Sequence, residues 1–94
     1  MPIIRLTWNA SLGAVSYNLY HALTPGLSTA LTPLLTNVIS LSFDHTVIIG
    51  QHYYIVAAVG PNGEIGARSI ELSINAAQSG HLYGRGQYGR ILWG

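Results

Sequence analysis

Residues 42–74 read SFDHTVIIGQHYYIVAAVGPNGEIGARSIELSI. Leading into this stretch, Ile39, Leu41 and Phe43 alternate with Ser40, Ser42 and Asp44, the period-two pattern of a strand with one buried face. Tyr53, Ile55, Ala57 and Val59 form a second run, interleaved with Tyr54, Val56 and Ala58. Ile70, Leu72 and Ile74 form a third, separated by Glu71 and Ser73. Ile49-Gly50 breaks the first run from the second. Pro61-Asn62-Gly63 breaks the second from the third, and Asn-Gly accepts the positive φ of a tight turn between strands.

The same grammar holds upstream. Ile4, Leu6 and Trp8 alternate with Arg5 and Thr7, and Val15, Tyr17 and Leu19 alternate with Ser16, Asn18 and Tyr20. Ser11-Leu12-Gly13 and Thr24-Pro25-Gly26 punctuate these runs. In residues 27–38, Pro33 limits any strand to an edge or an irregular course. No segment carries a sustained helical stripe. Several short strands divided by turns predict an all-β sandwich.

RLTWNAS (5–11), VSYNLYHA (15–22) and the opening stretch together resemble a fibronectin type III domain over residues 3–76. Trp8 matches the family's Trp on its second strand, and Tyr17 matches the Tyr on its third. Gly50-Gln51-His52-Tyr53 matches a Gly-x-x-Tyr entry into the sixth strand. The resemblance implies an immunoglobulin-like sandwich in which Tyr53 forms a tyrosine corner, its hydroxyl bonded to nearby backbone. Only seven residues precede Trp8, so the family's first strand is expected to be short or missing. That leaves a sheet edge of unpaired N–H and C=O groups. The tail of this chain, or a neighbouring chain, is expected to cover an edge by strand addition.

Ninety-four residues allow one small domain. Charged residues are 7% of the chain, against about 25% in an average soluble domain, and hydrophobic residues are 49%. Such a sparsely charged chain points to protein partners. The absence of Cys excludes disulfides and Cys-based zinc or nucleophile chemistry. No apolar stretch approaches the roughly 20 residues of a membrane span, and the start lacks the pattern of a signal peptide. Arg5 and Arg68 face Asp44, Glu64 and Glu71 in residues 1–79, while Arg85 and Arg90 stand without an acid in the tail. No basic field exists to hold a nucleic acid.

The tail, GHLYGRGQYGRILWG (80–94), differs from everything before it. The expected division is a sandwich over 1–77 and an extended Gly/Tyr/Arg-rich arm over 78–94. Tyr83-Gly84-Arg85 and Tyr88-Gly89-Arg90 repeat at a spacing of five, and Ile91-Leu92-Trp93 closes the chain with an apolar anchor. Tyr, Trp and Arg dominate interface hot spots. Tyr83, Arg85, Tyr88, Arg90, Ile91, Leu92 and Trp93 are therefore the expected partner-binding residues of the arm. A disordered tail and packing on its own domain are the alternatives. On the sandwich, Tyr20, Tyr54 and Val56 are expected to point outward from neighbouring strands as an apolar docking face. Ordinary cross-strand pairing is the plainer reading there.

His21, His45, His52 and His81 show no ligand-like spacing. His21 and His52 fall on strands expected to be neighbours, but no third ligand is evident. The three acids suggest no convergent pair, and no nucleophile elbow or phosphate loop occurs. No enzyme, cofactor or metal is expected. Charge-poor, Cys-free domains of this type resemble small accessory proteins of tailed-bacteriophage particles. That resemblance implies a structural virion protein on capsid or tail, docked on a larger coat or tail subunit or on further copies of itself. The alternative is a glycan-binding or cell-surface adhesion module, with Tyr20, Tyr54 and Trp93 stacking on sugar rings.

Overall fold

The computed structural model describes residues 3–29, 31–76 and 87–93, in which eight strands build two packed sheets. The strands are β1 (Ile3–Trp8), β2 (Ser16–Ala22), β3 (Leu35–Val38), β4 (Ser42–Thr46), β5 (Gly50–Val59), β6 (Ile65–Arg68), β7 (Leu72–Ala76) and β8 (Gln87–Ile91). One sheet runs β4-β1-β8. The other runs β3-β2-β5-β6, and β7 pairs with the first half of β5. Among the described residues no helix is long and apolar enough to cross a membrane.

The alternation in β1 translates directly into structure. Ile4, Leu6 and Trp8 are buried, while Ile3, Arg5 and Thr7 face out. β1 pairs antiparallel with β4, which sets Arg5 opposite Asp44. Their side chains form a forked pair, Nε to Oδ1 at 2.7 Å and Nη2 to Oδ2 at 2.9 Å. The guanidinium holds the carboxyl below its ordinary range. Both side chains are about half exposed, so the pair orients more than it stabilises.

β1 is the Trp-bearing strand, and its other edge is taken by β8, in parallel register from Ile4 beside Gln87 to Trp8 beside Ile91. A parallel neighbour cannot be reached by a tight hairpin; the chain must first return to the starting end. It does so along β7, whose last residue, Ala76, lies opposite Gly50.

β5 departs from the expected facing. Leu19 lies opposite Val56, Tyr17 opposite Ala58 and His21 opposite Tyr54, so these share one face. Tyr54, Val56 and Ala58 therefore point into the main core with Trp8, Tyr17, Leu19, Ile4 and Leu6. Ile55 and Ala57 turn to the opposite face and join Tyr20. The expected inward set of Tyr53 and Ile55 is thus reversed. A run that is apolar at every position has no parity to read.

The outer face is not left open. Leu27, in the segment between β2 and β3, packs over Tyr20, Ile55 and Ala57 as a second small core. Two charged side chains clasp that segment. Oε1 of Glu71 accepts from the backbone N–H groups of Gly26 and Leu27, each at 2.9 Å. Arg68 donates through Nη1 to the Leu27 carbonyl at 2.6 Å.

Other runs are shifted rather than lost. Ile39 and Leu41 precede β4 and are exposed, leaving Phe43 as the residue that packs inward. The third run of the opening stretch divides at Ser69–Glu71 into β6 and β7, leaving Ile70 exposed. β3 follows Pro33 as an edge strand, irregular in register and with Asn37 at φ 57°. Gly63, at φ 81°, supplies the positive angle that the Pro61-Asn62-Gly63 turn demands.

Leu27→Ala is expected to cost about 2–3 kcal/mol in urea unfolding, the scale of a buried leucine truncation. A value within about 0.5 kcal/mol, as for an exposed loop residue, would show that the segment does not cover β2 and β5.

Candidate functional site

The seam between β1 and β8 brings together most of the described tail residues. Parallel pairing turns Gly89 and Ile91 inward and Tyr88 and Arg90 outward, beside Arg5 and Thr7. Ile91 joins the main core at 2% exposure. Gly89 faces the opposite sheet: a Cβ there would lie 2.6 Å from Cδ2 of Leu72. Of the two Tyr-Gly-Arg units, the second is seated on the edge.

Past β8 the chain crosses toward the second sheet. The N–H of Ile70 donates to the Leu92 carbonyl at 2.8 Å, and Trp93 forms a bridge with Ser69. Nε1 of Trp93 donates to the Asn9 carbonyl at 2.6 Å. Its ring lies 6.0 Å from Tyr17, which lies 6.1 Å from Trp8 edge to face. The Tyr17 hydroxyl accepts the N–H of Ser11 at 2.9 Å. These contacts make residues 87–93 part of the sandwich, so the expected 77/78 boundary does not divide the described tail from the body. Ile91 and Trp93 are held by their own domain, whereas Tyr88 and Leu92 are exposed. Arg90 makes no side-chain bond to another described residue. Tyr83, Arg85 and His81 lie outside the described residues.

The expected docking face of Tyr20, Tyr54 and Val56 does not form. Their exposures are 1%, 0% and 0%. Tyr54 and Val56 lie between the sheets, and Tyr20 lies under Leu27. The cause is the two-sided burial of β5 and the clasped segment over it. Tyr53 is half-buried on the outer face, and its hydroxyl has no bonding partner among the described residues, so it does not close the expected tyrosine corner.

A histidine cluster occupies the end of the sandwich where β1 begins. His21 and His52 lie on adjacent β2 and β5, as their strand assignment suggested, and Nε2 of His21 is 2.7 Å from Nδ1 of His52. Nε2 of His52 is 2.7 Å from the Ile48 carbonyl, which can only accept. His52 therefore carries its proton on Nε2, and His21 donates from its own Nε2. The His45 ring packs edge-on 4.8 Å from His21, with Nδ1 2.8 Å from the Tyr54 hydroxyl. His45 was not foreseen here, because β4 pairs with β1 and meets β2 only across the core. Leu23, Thr46, Val47 and Ile48 complete an open depression of about 260 Å³.

Burial, with His45 and His52 close by, pushes His21 down to about 4. Burial, then His52, pushes His45 down as well. Burial raises Tyr54, whose hydroxyl stays protonated and shares a hydrogen bond with His45. Among the described residues, no group of three or more His, Cys, Asp or Glu side chains is placed to hold a metal ion.

An Fn3-like protein from Clostridium thermocellum has a similar structure, with a TM-score of 0.66 and 29% identity, covering 85% of this chain and 91% of that one. The chain accordingly has an Fn3-like sandwich fold. No protein-family profile and no curated protein matches it in sequence.

Two outcomes follow from this geometry. Gly89→Val places branched carbons against Leu72 and is expected to cost about 1–3 kcal/mol in urea unfolding; an unchanged midpoint would mean that β8 is not seated on β1. For His21, the depressed folded value means that the unfolded chain binds more protons between pH 6.5 and 4. Its contribution is complete above pH 6.5 and lost as pH falls toward 4. Thermal melts across that window are expected to fall more steeply for the native chain than for His21→Leu.

Proposed function

We propose that the chain is a non-enzymatic structural protein of a larger particle, a capsid-decoration or tail-associated component of a bacteriophage virion. The observation that supports this reading is the placement of exposed apolar side chains at both ends of the sandwich. Where β1 ends, Leu12, Val15, Ile39 and Leu41 are exposed, Leu12 fully and Ile39 at 82%. At the opposite end, beside the histidines, Ile3, Leu23, Ile48 and Ile49 are exposed.

Most of the few charges are already engaged. Arg5 and Asp44 hold each other, and Arg68 and Glu71 clasp the Leu27 segment. Glu64 accepts the N–H of Asn62. Little free charge remains to solvate the ends, and grouped exposed apolar side chains of this kind mark interaction surfaces. Repetition on a particle multiplies weak contacts into firm attachment. The sugar-binding alternative loses two of its three rings, since Tyr20 and Tyr54 are buried.

The test is mass spectrometry of gradient-purified particles from a producing culture, with native chain or the double variant Leu12→Glu, Ile39→Glu. The native chain is expected in the particles. The variant, with unchanged melting temperature, is expected at about one tenth of that level or less, because each buried unpaired carboxylate costs more than the 1.4 kcal/mol that a factor of ten represents. A chain absent from particles, or a variant incorporated as well as the native chain, would overturn the reading.

A further inference from the structure

We infer that the β1 edge is a strand-acceptor site and that β8 of a second copy of this chain can fill it, linking neighbouring copies by strand exchange. The inference rests on the assembly reading above and names the partner and the contact.

The first observation is the arrangement of β8. It pairs along its length only with β1, so everything it contributes to the sheet is one added parallel edge. Its inward grip consists of Gly89 against Leu72 and Ile91 in the core, followed by Trp93 against Tyr17 and Asn9. None of these contacts depends on which copy supplies the strand. Exchange would remake each of them between two copies, the condition that makes swapping of an identical element inexpensive.

The second observation is the length of chain available. β7 finishes at Ala76 opposite Gly50, and β8 starts at Gln87 beside Ile4, which pairs with His45. Both points lie at the histidine end, one on each sheet. Packed sheets are about 10 Å apart. The ten residues 77–86 can span about 35 Å when extended, and typical connections use about 4–6 residues. Three of the ten, Gly80, Gly84 and Gly86, lack a side chain, and none is Pro. The connection is long enough to deliver β8 to an adjacent copy as well as to its own β1.

Closed and exchanged forms contain the same β1–β8 contacts, so concentration decides between them. A tether of ten residues gives the chain's own β8 an effective concentration on the order of millimolar. In dilute solution the closed monomer wins. Copies crowded on a particle surface reach a comparable local concentration, where exchange competes.

The chain has no Cys, so the register can be trapped without background. Thr7 on β1 and Arg90 on β8 are direct neighbours in the parallel ladder and both face out. Adjacent strands are about 4.8 Å apart, within the range a disulfide bridges. Three chains are prepared: Thr7→Cys, Arg90→Cys, and the double variant. Each is treated with oxidised glutathione and analysed by intact mass.

The double variant at micromolar concentration is expected to close on itself. A mixture of the two single variants is expected to give a mixed-disulfide dimer, identified by mass, whose share rises at least about tenfold from micromolar to millimolar protein. Gly89→Val added to the Arg90→Cys chain should suppress it. If the double variant closes and the mixture yields mixed dimer no faster than the random coupling set by two unfolded chains in urea, exchange is refuted. If the double variant does not close, the parallel seam itself is refuted and the inference with it. Either result leaves particle incorporation to be judged separately. Incorporation without mixed disulfide sinks exchange alone, whereas absence from particles sinks the assembly reading.

Discussion

Everything in this sandwich is arranged around a strand that is apolar on both sides. β5 runs through the middle of the second sheet, with Tyr54, Val56 and Ala58 toward the opposing sheet and Ile55 and Ala57 away from it. A sheet whose two faces are both apolar must be covered twice. The first cover is the three-stranded sheet around β1. The second is the segment carrying Leu27, and a segment without ladder hydrogen bonds needs other fasteners. Glu71 and Arg68, two of only seven charged residues, serve there. The scarcity of surface charge is thus partly a consequence of how the fold is held.

How much of this was readable depends on local contrast. β1 alternates polar and apolar residues cleanly, and its facing followed from Arg5 and Thr7. β5 offers no such contrast, so the assignment failed by one residue and carried Tyr54 and Val56 to the wrong side. The fate of Tyr20 could not be read locally either, because it depends on Leu27 and on an acid contributed from residue 71. Strand addition by the tail was expected as one of two ways to cover an edge, but the register of residues 87–91 and their parallel sense were not legible, since Gly-rich sequence has little strand propensity of its own. Gly89 suits the strand to its seat, because a side chain there would press on the tip of Leu72.

The histidine cluster shows the same division. His21 and His52 were placed together by neighbouring strands, a short-range inference. His45 arrives from the other sheet and joins them through packing across the core, which no spacing in the sequence encodes. The hydrogen bonds from His21 to His52 and on to the Ile48 carbonyl fix the tautomers of those two rings and tie the turn after β4 to β5.

The parallel sense of β8 also gives the domain a direction of mechanical strength. β1 begins at the histidine end, and β8 finishes at the other, beside Trp8. Tension applied at Ile3 and Trp93, pulling those ends apart, slides the two strands past each other. The ladder of registered pairs from Ile4–Gln87 to Trp8–Ile91 is then loaded together. An antiparallel edge strand pulled from its free end would peel one pair at a time. A domain strung in this way between two anchored neighbours would resist stretching along its long axis while still yielding to forces that lift β8 sideways from its edge.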